Sequence, residues 1–447
     1  MGDLLMPTSS LPVEILSLAF SSFDVRELFI LRQVCRRWKA VVFGHPHFWR
    51  DICLNSTSNG SLQLLTLRLG NRSDRLIHIT VRFTGYQRHL TSRILPILRT
   101  NLHRVRRLDV SLDELHILEL YDALMTPAPN LEEVLLALHA GDCLVVLPRQ
   151  TPMPPGVFGG KCPKLHRFRL RDVLLPDKPI PALKSIDELS MVYSLHTCQT
   201  FPNYVFTYFP ELQRLHISAG SLRFLNSELP TSTTEGLQRL QYLELDYDDA
   251  DCLKFIQLIP TSHIPDLLII FPLEDTVYAA LDALRGPFHM TFYRKSSIEF
   301  HICVQSTSLN LIRRFAELPD DYLLPHANIN ALLENHEFAA QLQSLTIATS
   351  LWALVTPWLP PYTTLPHLVV RVDDAIRERR GLPEEILEYP MLELLTLTLE
   401  CNSGCVHIEA AEVVRFVDMI TPSRTVMLKL AGVVVDNRDP SFCQRFS

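Results

Sequence analysis

The chain has 447 residues, 47% of them hydrophobic and only 15 of them glycine, so it is a packed chain with more apolar side chains than one core usually serves. Its formal net charge of -7 excludes a generally basic surface of the kind that binds nucleic acid or anionic membrane. Nowhere do 18 apolar residues run together, and the ten cysteines are scattered without a regular framework, so reduced thiols and a cytoplasmic and/or nuclear compartment are expected, with no membrane span.

The first element is a short helix: Pro12 suits a first turn, Glu14 complements the positive helix end, and Ile15, Leu16, Ala19 and Phe20 recur at helical spacing. Asp24 followed by Glu27 reads as the cap of a second helical stretch, along which Leu28, Leu31, Val34, Cys35, Trp38, Val41 and Val42 form one stripe. Arg32, Arg36, Arg37 and Lys39 lie opposite. Gly44 and Pro46 interrupt the pattern, His45 and His47 read as surface turn residues, and Phe48 and Trp49 fold back to close the module. So small a module either docks on a partner or seals its stripe inside a bundle of its own.

The run from Leu11 to Trp49 is similar to the F-box. Leu11, Pro12, Glu14, Ile15, Leu16 and Phe20 match its first helix; Leu28, Leu31, Arg32, Val34, Cys35, Arg36, Arg37 and Trp38 match its second half; Phe48 and Trp49 match its aromatic closure. Phe23, Phe29 and Ala19 depart from it, which bears on affinity. The resemblance implies a three-helix F-box over residues 8–54 that binds a Skp-family linker protein, itself docked on a cullin-RING core. The linker-binding residues it implies are Leu11, Pro12, Glu14, Ile15, Leu16, Leu28, Leu31, Val34, Cys35 and Trp38, with Trp38 open to a second reading as core.

Residues 55–61, rich in Asn, Ser and Gly, read as a linker before Leu62 opens a new helical pattern. Ten arginines then stand between Asn55 and Arg107 against one acid, Asp74, either as a solvated helix face or as a docking patch for an acidic partner. From Val105 onward a phrase L-x-x-L-x-L returns at Leu131, Leu165, Ile186, Leu212 and Leu240, and again at Leu342, Leu365 and Leu392. Pro129, Pro163, Pro210, Pro265 and Pro390 each stand two residues before a leucine, where proline ends one segment and starts an extended one.

Each phrase reads as a short strand followed by a returning helix or loop, so that stacked units bury what none buries alone. The arrangement resembles the leucine-rich repeats common after an F-box, with asparagine mostly missing from its ladder position, and the resemblance implies an α/β fold: an F-box, then an irregular leucine-rich-repeat solenoid of parallel strands and helices over residues 62–436, then a tail at 437–447. A multi-domain α/β globule is the alternative. Residues 148–163 read as an inserted surface loop and 304–340 as additional helix; either could carry partner contacts. Residues between the buried strand positions would face out and offer a surface for an unidentified protein substrate: Arg169, Arg171, His216, Glu244 and Asp246, with Asp109 and Thr396.

Signatures of catalysis are missing. Lys161 follows Gly160, but Pro155 and Cys162 occupy places a phosphate loop gives to glycine and to Ser or Thr; His336 and Glu337 lack the second histidine of a zinc protease. Cys401, Cys405 and His407 lack a fourth ligand, so no metal or other cofactor is expected. The sequence thus points to a non-enzymatic substrate-recognition subunit of an SCF-type (Skp, cullin, F-box) ubiquitin ligase, or alternatively to an F-box scaffold not linked to ubiquitin transfer.

Overall fold

A computed structural model describes residues 11–70, 75–85, 87–139, 151–176, 178–194, 198–201, 204–223, 229–247, 249–296, 299–319, 336–359, 364–372, 382–383, 392–401, 405–421, 426–436 and 440–446. The chain divides into two units, Met1–Ser194 with Tyr204–Leu212, and Leu195–Asn203 with Gln213–Ser447.

The first unit opens with four short helices: α1 (Val13–Phe20), α2 (Val25–Leu31), α3 (Arg36–Gly44) and α4 (Pro46–Arg50). The single stripe read from Leu28 to Val42 is therefore broken into two helices, and the module has four helices where three were expected. The break has a local cause. Arg32 ends α2, and Cys35 adopts extended φ and ψ of -160° and 170° so that its sulfur accepts the Trp38 N–H as the N-cap of α3.

After these helices the chain enters β1 (Asp51–Leu54), then α5 (Asn59–Gly70), β2 (Ile77–Arg82), α6 (Leu95–Asn101), β3 (Val105–Asp113), α7 (Ile117–Leu124), β4 (Glu133–His139), β5 (Arg167–Arg171) and β6 (Glu188–Val192). The expected linker is thus shortened, since α5 already begins at Asn59. The six strands pair in sequence order, all parallel. Register explains the repeated phrase. Ile79, Leu108, Val134, Phe168 and Leu189 lie side by side as one rung, and Val81, Val110, Leu136, Leu170 and Met191 as the next, all buried. Full burial of each such side chain is worth about 1.5–3 kcal/mol.

The segment 148–163 is not a surface loop where it is described. Met153, Val157, Phe158 and Cys162 are buried, with Phe158 and Gly159 in the left-handed region to make the turn; residues 148–150 lie outside the described residues.

The second unit contains β7 (Cys198–Thr200), β8 (Arg214–Ala219), β9 (Ser221–Arg223), β10 (Tyr242–Tyr247), β11 (Asp266–Ile270), β12 (Phe288–Arg294), β13 (Glu299–Ser306), β14 (Leu311–Pro319), β15 (Leu342–Ala348), β16 (Thr364–Arg371), β17 (Glu393–Glu400), β18 (Val406–Glu409), β19 (Met427–Ala431) and β20 (Val433–Asp436). Within it the strands order as β8-β10-β11-β14-β13-β12-β15-β16-β17-β19, with β7–β9 and β18–β20 as separate pairs. The pairings are parallel except along β14-β13-β12, which is an antiparallel meander set into the sheet. Residues 304–306 and 311–319, expected to be helix, are strand joined by a turn: in β13, Phe300, Ile302, Val304 and Ser306 alternate inward at the period of two, and β14 pairs with it. Residues 320–335 of that stretch lie outside the described residues, and His336–Ala339 is one helical turn.

Two further expectations change. The strand residues read from Leu392 are out of phase, because Leu394, Leu397 and Leu399, not Leu395, match Leu365, Leu368 and Val370 of β16; Leu395 is 64% exposed. The tail at 437–447 contains a helix, Pro440–Arg445, held by buried Phe442 and by an Arg445–Asp418 ion pair of 3.0 Å; residues 437–439 lie outside the described residues.

One rung of this unit is exceptional. Leu215, Leu243, Leu267, Arg313, Val304, Met290, Leu345, Leu368 and Leu397 occupy successive matched positions, and the arginine among them is fully buried. Its guanidinium donates to the carbonyls of Thr261 (2.6 Å), Ile264 (3.0 Å) and Ala280 (3.3 Å) and to that of Ile312 (2.8 Å). Burial pushes it down to about 10.

Candidate functional site: the helical module and the strand faces

In α1 the apolar residues run nearly all the way round, so the helix has two apolar faces. Leu16 and Phe20, one turn apart, enter the module's core with Leu28, Val41, Val42 and Phe48. The other face stays in water at Ile15 and, most of all, at Leu18 with 71% exposure, and Val13 in the first turn is exposed as well. Ile30 of α2, at 66%, and Val34, in the turn after it, at 60%, are exposed too. Exposed apolar groups collected on one small module are what an interaction surface leaves behind when its partner is absent.

The scaffold under these side chains is tightly specified. Asp24 accepts the Glu27 N–H at 2.8 Å while Glu27 accepts the Asp24 N–H at 2.7 Å, the reciprocal cap that the sequence suggested for α2. Phe48 meets Phe43 edge-on at 5.2 Å and Trp49 at 5.1 Å, and the Trp49 Nε1–H donates to the Phe43 carbonyl. Arg32 lies flat on Phe29, 3.3 Å from the ring centroid, and Arg37 donates to the Leu11 carbonyl, tying the entry of α1 to α3.

The ten residues implied as linker contacts are thereby divided. Leu11, Pro12, Glu14, Ile15 and Val34 are exposed; Cys35 is exposed but its sulfur is spent capping α3. Leu16 and Leu28 are buried in the module's own core and cannot be contacts without unfolding it, and Trp38 packs edge-on against Phe20 at 5.2 Å. Leu31 is half-buried against that core. Val13, Leu18 and Ile30, which are exposed as well, are not among the ten; in α1, a helix apolar nearly all round gives no phase by which to choose its inner face.

His45 also differs from its reading as a surface turn residue: it is 2% exposed. Its Nδ1 accepts the His47 N–H at 3.3 Å, capping α4, which leaves Nε2 to donate to the Ser17 carbonyl of α1 at 3.0 Å. Burial lowers its pKa from the ordinary 6.5, against the raising effect of the Ser17 bond, and the nearby charges of His47 and Arg50 lower it further. The unfolded chain therefore binds the proton more readily, so stability is fully present above about 6.5 and is lost as pH falls below it. The expected result is a lower urea midpoint for the module at pH 5.5 than at 7.5, followed by tryptophan fluorescence, with a smaller difference in His45→Asn; equal pH dependence in both would remove this histidine from the account.

On the strands of the first unit, the outward residues form a charge ladder. Arg107 binds Glu133 at 2.7 Å, Arg167 reaches Glu133 at 3.6 Å and Glu188 at 2.8 Å, and Arg169 reaches Glu188 at 3.5 Å. Asp109 holds Arg82 at 2.6 Å, and Arg171 is exposed. The arginine-rich stretch is thus not a free helix face. Arg82, Arg99, Arg106 and Arg107 find acids 23 to 27 residues further along, at Asp109, Asp122, Glu132 and Glu133, while Arg68 and Arg104 are buried; Arg72 and Asp74 lie outside the described residues. In the second unit, His216 and Glu244 stand 3.7 Å apart on neighbouring strands, Glu244 accepts the Tyr242 hydroxyl at 2.6 Å, and Asp246 accepts that of Ser218 at 2.7 Å. The structure so gathers His216, Glu244 and Asp246 on one face and places Arg169 and Arg171 on a strand of the other unit. Thr396 lies on β17, half-buried.

No group of three His, Cys, Asp or Glu residues that could hold a metal occurs among the described residues. His407 is engaged by Asp436 at 2.9 Å. No helix among the described residues is long and apolar enough to cross a membrane.

Residues 8–55 match the family model described as F-box-like. No curated protein matches the chain. The chain thus carries an F-box-like domain that accounts for the four N-terminal helices, followed by mixed α/β structure rich in parallel strands.

Proposed function

We propose that this chain is the substrate-recognition subunit of an SCF-type ubiquitin ligase, without catalytic residues of its own, working in the cytoplasm, the nucleus or both. The observation that carries the reading is the set of exposed apolar side chains Val13, Ile15, Leu18, Ile30 and Val34 on a domain matching the F-box-like model. Such side chains suit burial in the groove of a Skp-family linker, which would join the chain to a cullin-RING core. The parallel strands with intervening helices are read as an irregular leucine-rich-repeat array interrupted by the β12-β13-β14 meander. The protein substrate would meet outward strand residues, His216, Glu244 and Asp246 in one unit or Arg169 and Arg171 in the other. Holding a target beside the ubiquitin-loaded enzyme raises its effective concentration, and that is the whole of the proposed activity.

Two measurements test it. The purified chain should be retained by an immobilised Skp-family linker, and absence of retention would overturn the reading at its base. Proteins recovered by proximity labelling should live longer in cells when the F-box-like domain is deleted. Unchanged half-lives with intact linker binding would instead favour a scaffold unconnected to ubiquitin transfer.

A further inference from the structure

We propose that the pocket between α2, β1 and α5 binds a small organic anion with an apolar arm, and that this site is independent of the linker-binding reading. The pocket has a volume of about 520 Å3, and its walls mix apolar side chains, Phe23, Val25 and Leu64, with Arg26, Arg68 and Cys53. That volume falls within the range of roughly 300–1,000 Å3 typical of small-molecule sites.

Arg68 is the reason to expect an anion. It comes from α5, is 4% exposed, and its Nε has no hydrogen-bond partner. Its Nη2 donates to the backbone carbonyls of Asp51 at 2.6 Å and His47 at 3.4 Å, so it is held in place by neutral groups. No carboxylate forms an ion pair with it among the described residues. The pocket's two acids are already committed: Asp24 caps α2, and Asp51 is bound by Arg50 at 3.0 Å and His78 at 2.8 Å. Those two bonds hold the Asp51 carboxyl well below the usual range in spite of its burial, so it stays with them as a charged partner.

The nearest charged partner of Arg68, Asp51, acts on it from a distance while bound to Arg50 and His78, so a buried guanidinium with no carboxylate in contact carries a desolvation cost that one arriving from solution would offset. Burial pushes Arg68 down to about 10 without neutralising it near pH 7. Arg26 is exposed, with a single hydrogen bond among the described residues, to Asn55 Oδ1 at a long 3.5 Å, and so is available as a second donor. The apolar walls disfavour a multiply charged ligand such as a nucleotide, because most of its charge would lose water without gaining a partner. One carboxylate on an aliphatic or aromatic arm fits both halves of the site.

Cys53 provides the readout, because it lines the pocket and is exposed, while Cys35, the N-cap of α3, is exposed and outside the pocket lining. The experiment is alkylation of the full chain by iodoacetamide, resolved peptide by peptide, with 3-phenylpropionate as probe and 3-phenylpropionamide as its neutral counterpart. Wild type should show Cys53 slowed about tenfold relative to Cys35 when the acid is at ten times its dissociation constant, with no comparable slowing by the amide. Arg68→Met should abolish the protection and Arg26→Gln should weaken it. Lack of protection by the acid, equal protection by acid and amide, or full protection in Arg68→Met would each overturn the proposal. Should Arg68→Met fail to fold, Arg26→Gln decides, and undiminished protection in that variant counts against the site.

Discussion

Arg313→Ala is expected to lower the unfolding free energy of the second unit by on the order of 3–5 kcal/mol, read as a shift of the urea midpoint. Three effects compete. Removing the side chain opens a cavity in a buried rung and takes the donors from the carbonyls of Thr261, Ile264 and Ala280, the last at the end of the helix Glu274–Leu281. Each buried acceptor left unsatisfied costs about 1–3 kcal/mol. Against this stands relief from burying a charge, the term that makes hydrophobic replacement of buried ions neutral or even stabilising in some proteins. Arg313→Leu separates the effects, since it restores the apolar rung and fills most of the space while still taking the guanidinium from the carbonyls of Ile264 and Ala280; that of Thr261 keeps the Ile264 N–H at 3.2 Å. An intermediate loss is expected. A leucine variant more stable than the wild type would mean that the arginine is a burden and that its four hydrogen bonds merely limit the damage.

The second large effect concerns the exposed apolar side chains of the helical module. Ile30→Glu combined with Val34→Glu should reduce affinity for a Skp-family linker by about 100-fold or more, as loss of central apolar contacts does at interfaces. Because both side chains are exposed, the double variant should keep its stability to within about 1 kcal/mol of wild type. Leu28→Asp should behave in the opposite way: it buries a carboxylate among Leu16, Phe20 and Phe48 and should unfold the module. Calorimetric titration with linker, beside thermal melts of the same samples, distinguishes them. A folded double variant that binds as the wild type does would show that the partner docks elsewhere.

Local patterns in the sequence reveal the strands well because burial there repeats at fixed positions. All nine occurrences of the leucine phrase fall on or immediately before strands, and the rungs through Leu108 and Val110 show why: one residue per strand must fill one slot in a continuous stack. The same device misleads at Leu392, where leucines at 392, 394, 395, 397 and 399 satisfy two phases and only pairing with β16 selects one. It misses Ile264, Leu267 and Ile269, which fit the phrase and are buried, and it misses the meander, whose strands follow simple alternation instead. Alternation in 288–294 and 299–306 was there to be read. Other features have no local signal at all. Arg313 and Arg314 are adjacent and alike, yet one is sealed in the core while the other pairs with Asp266 at 2.6 Å on the open face. At the helical module, spacing identified the apolar residues correctly but not which of them face water, since that depends on the turn at Cys35 and on the packing of Phe48.

The ladder of charges on the first unit limits how the chain can be shortened. Glu133 answers to Arg107 from the strand before it and to Arg167 from the strand after, and Glu188 serves Arg167 and Arg169 from its other side. A fragment stopped at His139 would keep Glu133 but lose one of its cations, and would strip the cover of Phe168 and Leu170 from Val134 and Leu136 at the same stroke. Every cut between these strands leaves a greasy margin bordered by mismatched charge, a recipe for clumping. Expression of pieces should therefore keep all six strands together with Tyr204–Leu212, which belongs to the same unit and donates a hydrogen bond from Tyr208 to the Pro176 carbonyl, and the helices at the front should travel with them.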